Sequence, residues 1–155
     1  MVGQNISFVT AGNFESDTLK SIVAGTEVAE NNLYGIKFYL ISWVDGEFQI
    51  KFSTNVLNGS FIQCMVNKIK FSDFNNELIY YNSKNYFMGT GGGDVYSYIV
   101  DFRKREVYSA HLFAGEGTKS VLYLSENVED RMLRQFFISY FRKDYPSLKV
   151  IQSDN

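Results

Sequence analysis

The clearest pattern of apolar and polar positions lies near the end of the chain, at residues 127–144 (NVEDRMLRQFFISYFRKD). Apolar and aromatic side chains recur there at spacings of three and four, which places them on one stripe of a helix. Asn127 is placed to cap the first turn, and Pro146 prevents continuation past the last. We therefore predict an amphipathic helix that packs on a sheet. Its apolar stripe comprises Met132, Leu133, Phe136, Phe137, Tyr140 and Phe141.

Most of the chain before this helix has the pattern of β-strands. Residues 35–44 are apolar on both faces, which is typical of a central strand that is covered on each side. The Asp-Gly pair at 45–46 predicts a two-residue hairpin turn, because both positions tolerate positive φ. The return strand at 47–53 alternates between apolar and polar residues. Its inward-facing residues are expected to be Phe48, Ile50 and Phe52.

The remaining segments complete the predicted fold. Residues 13–24 have the narrow apolar face of a short helix, and residues 26–33 are polar and predict a loop. A change of phase within 60–71 predicts a β-bulge near Asn67. The resulting class is α+β: one domain, residues 1–155, with about seven antiparallel strands in a curved sheet packed on the C-terminal helix. The further strands are predicted at residues 6–10, 60–71, 77–81, 95–102, 106–113 and 121–124.

Composition narrows the class of protein. Aromatic residues make up 17% of the chain, which favours a β-rich fold because Phe and Tyr suit half-buried pleated surfaces. The net charge of −2 and the absence of a long basic run disfavour a nucleic-acid-binding protein. No segment has the pattern of a signal peptide or a membrane span, so we expect a cytoplasmic protein without a membrane partner.

Three features resemble chemical motifs but lack the context that the chemistry requires. The glycine-rich stretch at 89–94 precedes a predicted strand, whereas a phosphate-binding loop precedes a helix. His111 and Cys64 are the only residues of their types, and nothing near Cys64 in sequence indicates a nucleophile. A catalytic His111 would need a carboxylate partner in a cleft. We therefore expect no enzymatic activity, no cofactor and no metal.

The acidic residues have ordinary structural explanations as well. Asp101 lies close to Arg103 and Arg105, and we expect a surface charge pair at the end of a hairpin. Other carboxylates precede the predicted helix, where its dipole favours negative charge. That second cluster is Glu126, Glu129 and Asp130.

The tyrosine-rich strands have three interpretations: a core with scattered surface Tyr, a binding face for a protein, or the lining of a cavity for an apolar ligand. The binding face would contain Tyr80, Tyr81, Tyr86, Tyr96, Tyr98 and Tyr108.

Taken together, these patterns predict a non-enzymatic protein that works by binding another protein. The specific hypothesis is a bacterial immunity protein that neutralises a cognate toxin, such as a nuclease of a contact-dependent inhibition system, because an acidic surface complements a basic substrate cleft. The alternative is a β-barrel or cup that binds a small apolar ligand. The predicted partner-binding residues are Glu116, Glu126, Glu129, Asp130, Tyr96, Tyr98 and Tyr108.

Overall fold

The computed structural model describes residues 6–16, 18–86, 92–115 and 119–152 of the chain. They form three layers: a first β-sheet (sheet A), a second β-sheet (sheet B) packed on it, and the helix α1 (Arg131–Arg142) on the far face of sheet B. The predicted α+β class is therefore confirmed. The prediction of one sheet with about seven strands is wrong, because the described residues form eleven strands in two sheets.

Sheet A consists of β1 (Ile6–Gly12), β2 (Ser21–Glu30), β3 (Leu33–Val44), β4 (Glu47–Ser53) and β5 (Leu57–Asn58). Its order is β1-β2-β3-β4. The short strand β5 pairs with the same edge of β3 as β4 does, but at the opposite end of β3. Sheet B consists of β6 (Cys64–Ile69), β7 (Leu78–Tyr86), β8 (Gly93–Asp101), β9 (Glu106–Ala114), β10 (Val121–Leu124) and β11 (Lys149–Gln152). Its order is β11-β10-β9-β8-β7-β6, and a 3-10 turn (Phe61–Gln63) precedes β6.

The hairpin predicted at 45–46 is confirmed and joins β3 to β4. Both turn residues have positive φ, 52° for Asp45 and 89° for Gly46, as a tight two-residue turn requires. A matching turn joins β2 to β3, where Asn31 and Asn32 have φ of 52° and 64°.

The prediction that Phe48, Ile50 and Phe52 share the inward face of β4 is wrong for the first two. A register shift leaves Lys51 unpaired, because Leu40 pairs with Phe52 while Ile41 pairs with Ile50. One extra residue inverts the side-chain alternation on either side of it. Phe52 therefore joins the core, whereas Phe48 and Ile50 point outward and are 63% and 64% exposed.

The segment at 13–24 was predicted to be a short helix, and that prediction is also wrong. Ser21–Glu30 is strand β2, and the described residues between β1 and β2 are irregular. The predicted loop at 26–33 is likewise mostly strand. Because β2 pairs with both β1 and β3, a full ladder of backbone hydrogen bonds outweighs a weak helical pattern.

Sheet B is an antiparallel meander from β6 to β10, as the sequence predicted. The bulge predicted near Asn67 does not occur, since β6 pairs with β7 in unbroken register. The chain then passes through α1 and returns as β11, which pairs parallel to β10. The pattern of residues 149–152 does not predict this last strand.

Two apolar cores lie on the two faces of sheet B. The core between the sheets joins residues of sheet A such as Phe38 and Leu40 to Tyr81 and Val100 of sheet B. The other core fills the space between sheet B and α1. Its buried members include Leu78, Ile99, Leu112, Leu122, Leu133, Phe137 and Phe141.

The helix α1 carries the apolar stripe that the sequence predicted. Leu133, Phe137 and Phe141 are buried, while Phe136 and Tyr140 pack at the border of the core against Tyr80. The cap differs from the prediction, because Asp130 accepts hydrogen bonds from the amides of Met132 and Leu133 at 2.8 and 3.1 Å.

We expect Phe137→Ala to lower the free energy of unfolding by about 3–5 kcal/mol, because it leaves a cavity in a fully buried position. Chemical denaturation of the variant beside the wild type measures the loss. Gln135→Ala, on the exposed side of α1, is the control and should change stability by less than about 0.5 kcal/mol. A loss below about 1 kcal/mol for Phe137→Ala would mean that α1 is not packed as described.

Candidate partner-binding surface

An open hollow of about 720 Å³ lies at the N-terminal end of α1, between the start of β9 and the segment that joins β10 to α1. We call it the acidic hollow. Its four carboxylates and one ammonium give a formal charge of −3, compared with −2 for the whole chain. The acidic hollow is lined by Lys104, Glu106, Val107, Tyr108, Ser125, Glu126, Asn127, Glu129 and Asp130.

Polar side chains hold the β10–α1 segment in place. The Ser125 hydroxyl accepts a hydrogen bond from the Ser109 amide at 3.0 Å, and the Asn127 side-chain amide donates to the Val107 carbonyl at 3.1 Å. From the far edge of sheet B, the Gln152 side chain donates to the Ser125 carbonyl at 2.7 Å. Asn127, predicted to cap the helix, thus fastens the segment to β9 instead.

A buried aspartate forms the turn on the other side of the acidic hollow. Asp101 is 0% exposed, and its Oδ1 accepts hydrogen bonds from the amides of Arg103 and Lys104 at 3.0 and 3.2 Å. The side-chain amide of Asn76 donates to the same oxygen at 3.0 Å. The prediction that Asp101 lies at the surface is therefore wrong. Asp101 shapes the turn that leads to Glu106.

Some charged side chains of the acidic hollow interact with other groups of the protein, whereas others are exposed to solvent. Asp130 caps α1, and Glu106 accepts a hydrogen bond from the Tyr108 hydroxyl at 2.5 Å. The Lys104 ammonium lies 5.0 Å from the centre of the Phe74 ring. Glu126 and Glu129 are exposed. Burial, followed by the bond to Glu106, raises the pKa of Tyr108, so its hydroxyl remains a neutral donor.

The predicted partner-binding residues separate into three groups. Glu126, Glu129, Asp130 and Tyr108 line the acidic hollow together, although Tyr108 is only 3% exposed. Glu116 lies outside the described residues. The remaining two tyrosines lie elsewhere, because alternate residues of a strand point to opposite faces and a register cannot be read from composition.

Tyr98 is buried between the two sheets, where its hydroxyl accepts a hydrogen bond from the Asn58 amide at 3.1 Å. Burial raises its pKa to about 12. Tyr80 and Tyr81 are buried as well, on opposite faces of β7. Four of the six tyrosines predicted to form a binding face are therefore core residues: Tyr80, Tyr81, Tyr98 and Tyr108. The side chain of Tyr86 lies outside the described part of the structure.

Tyr96 belongs to an aromatic row on sheet B, at the border of the core between the two sheets. Its ring stacks on His111 at 4.6 Å between centroids, and Tyr123 follows at 6.2 Å on the other side. His111 Nε2 lies 2.6 Å from Asp94 Oδ1, and the two side chains are 37% and 16% exposed. This contact supplies the carboxylate partner that a catalytic histidine needs. Burial, together with Asp94, raises the pKa of Tyr96, which keeps that neighbour protonated.

Cys64 is not a partner for His111. The two residues lie on the same face of sheet B but on β6 and β9, which are three strands apart and therefore about 14 Å from each other. Burial, followed by the nearby Glu27 carboxylate, raises the pKa of the Cys64 thiol. This is the opposite of the shift that activates a nucleophile.

The first half of the glycine-rich stretch, residues 89–91, lies outside the described residues. Its last two residues, Gly93 and Asp94, begin strand β8. A strand therefore follows the stretch, as predicted, and not the helix that a phosphate-binding loop requires.

Glu27 holds the loop that connects the two sheets beside β6. Its carboxylate accepts hydrogen bonds from the Ser60 hydroxyl at 2.8 Å and the Phe61 amide at 2.7 Å. Gly59, in the same loop, packs so closely that a side chain there would meet the Tyr81 hydroxyl at 2.1 Å. The Phe61 amide is the main cause that lowers the pKa of Glu27 below its ordinary value, against an opposing effect of burial.

Comparisons with family models, with curated protein sequences and with solved structures found no match to the chain. Within the described ranges, no three His, Cys, Asp or Glu side chains are grouped so as to hold a metal ion. In the same part of the chain, no helix is long and apolar enough to cross a membrane.

We expect Glu27→Gln to lower the free energy of unfolding by about 1–2 kcal/mol at pH 7, because it removes a charged acceptor from the loop. A carboxylate whose pKa is lowered by folding contributes stability above its unfolded pKa and loses it as pH falls through the folded pKa. The difference from wild type should therefore shrink as the pH falls below the ordinary pKa of a glutamate. Denaturation of both proteins at several pH values measures it.

The matched control for this prediction is Glu47→Gln at the exposed end of the β3–β4 hairpin, where the carboxylate accepts only an exposed side-chain hydrogen bond. It should change stability by less than about 0.5 kcal/mol at every pH. A loss for Glu27→Gln that stays constant from pH 7 to the acid limit would contradict the charge-based explanation.

Proposed function

We propose that this chain is a non-enzymatic binding protein that covers a basic site on another protein, as an immunity protein does when it neutralises a toxin. The observation that carries the proposal is the acidic hollow, in which four carboxylates from two separate segments surround one concavity. A concave acidic surface complements protruding Lys and Arg side chains of a partner. The cytoplasmic, bacterial setting belongs to the same proposal.

The preorganisation of the acidic hollow supports a binding function. Hydrogen bonds made by the side chains of Ser125, Asn127 and Gln152 fix one wall, and Asp101 fixes the turn at the other. A surface that is rigid before binding loses less conformational entropy when the partner arrives. The helix dipole accounts for carboxylates at the end of α1, but Glu106 belongs to β9 and is not explained in that way.

A nuclease toxin is the partner class that this surface suits best. Enzymes that act on nucleic acids use basic clefts, because phosphates dominate their affinity for the substrate. A protein with a local charge of −3 in a concave site can compete for the same Lys and Arg residues. The expected mode of action is direct occlusion of the toxin's active site.

The exposed carboxylates give a direct test by charge reversal. We expect the double variant Glu126→Lys, Glu129→Lys to bind the partner about 10- to 100-fold more weakly than wild type, because two attractive contacts become repulsive. Tagged wild-type and variant chains, used in parallel to capture proteins from the source organism at low salt, provide the first comparison. The captured protein should be basic, and the wild-type chain should inhibit it at equimolar ratio in an activity assay.

The control is Glu30→Lys, Glu47→Lys, which changes the net charge by the same amount on exposed positions of sheet A. It should bind the partner about as well as wild type. Equal binding by all three proteins, or a captured partner without a basic surface, would contradict an interface at the acidic hollow.

A further inference from the structure

The outer face of sheet A carries an apolar surface that the fold itself does not use. The side chains of Val23, Phe38 and Leu40 point from sheet A into the core between the sheets, so their neighbours along each strand point the other way. We call this surface the apolar face. It consists of Val9, Ile22, Ile41, Trp43, Phe48 and Ile50.

The members of the apolar face are adjacent in the sheet. Ile41 pairs with Ile22 on one side and with Ile50 on the other, so the three form one row across β2, β3 and β4. Trp43 pairs with Phe48 in the next row, and their rings meet edge to face at 4.8 Å between centroids. The result is one patch across neighbouring strands.

The patch is strongly exposed for side chains of this type. Val9 is 58% exposed, Trp43 60%, Phe48 63% and Ile50 64%. Single exposed apolar residues are common, but a contiguous group of this size marks an interaction surface. The bulge at Lys51 is what places Ile50 and Phe48 here, since regular pairing would have put them on the face with Phe52.

We propose that the apolar face joins two copies of this chain, with the outer faces of two sheets A packed against each other. None of its six members carries a charge, as expected for a homodimer interface, which is more apolar than one between transient partners. The same patch on each copy is complementary to itself under twofold symmetry. Two such sheets pack face to face about 10 Å apart, as in β-sandwiches.

The area agrees with what a small dimer needs. Because Trp and Phe side chains have roughly 150–250 Å² to bury, covering the exposed parts of these six residues removes about 500 Å² per copy. Two copies together bury about 1,000 Å², which reaches the lower limit of specific interfaces. An interface of this size belongs to the weak class, so we expect the dimer to form only at high chain concentration.

The wild-type chain provides the first test without any substitution, because Trp43 is its one tryptophan. Sedimentation equilibrium from about 1 to 200 μM should show the mass rise from 17.8 kDa towards twice that value. Over the same range, the Trp43 emission should shift to the blue and become less accessible to acrylamide. A mass of 17.8 kDa throughout, with unchanged emission, overturns the proposal.

Charged substitutions then locate the interface. Ile50→Glu should weaken the dimer by about 10-fold or more, because each copy would bury an unpaired carboxylate in an apolar contact. Phe48→Lys should act in the same direction with the opposite charge. Both positions are exposed in a single copy, so circular dichroism at low concentration should match that of the wild type.

The control is Ile62→Glu, at a position that is 87% exposed on the 3-10 turn and outside the apolar face. It should dimerise like the wild type. A dimer that Ile50→Glu and Phe48→Lys leave intact, or that Ile62→Glu weakens equally, overturns the proposal. So does a chain that stays monomeric and shields Trp43 only when a different protein is added.

The proposed dimer and the proposed binding function can be tested independently of each other. The acidic hollow lies beside α1, whereas the apolar face is on the opposite outer layer. The charge-reversed variant Glu126→Lys, Glu129→Lys should therefore dimerise like the wild type. Weaker dimerisation of that variant counts against the apolar face as the interface.

Discussion

The burial of both faces of sheet B is the constraint on which the rest of this fold depends. Its meander satisfies the backbone hydrogen bonds of β6 to β10, but its strands carry apolar side chains on both sides. One face is covered by α1 and the other by sheet A, so each layer exists to remove one apolar surface from water. Fully buried side chains fill the space between sheet B and each of the two layers that cover it. The acidic hollow lies at the surface, outside both cores.

The two outer layers differ in character, and this difference separates the two proposed interactions. At the helix layer, polar groups such as Ser125 and Asn127 fix the backbone and leave exposed carboxylates around a concavity. Such a surface favours a charged partner, with binding that weakens as salt increases. Sheet A instead presents an apolar face, where association depends on area removed from water. A dimer formed through the apolar face would present two acidic hollows, one on each copy.

The sequence determined the elements whose signals are local. The stripe of α1, the turn at Asp45-Gly46 and the meander around the charged turn at 103–105 follow from periodicity and turn chemistry. The Asn-Asn turn between β2 and β3 also had a local signal, in two residues that tolerate positive φ. The loop predicted at 26–33 contains this turn but also covers residues that the structure shows to be strand.

The tertiary structure alone decided which side chains come together. The bulge at Lys51 exposed Phe48 and Ile50, and no local pattern distinguishes that register from a regular one. In the same way, the pairing of β9 with β10 brought Glu106 next to a cluster twenty residues further along the chain. Residues 35–44 had nevertheless indicated a strand covered on both faces. The sequence by itself thus showed that this strand is apolar on both faces. Only the tertiary structure decided that one of these faces is covered by sheet B and that the other points outward.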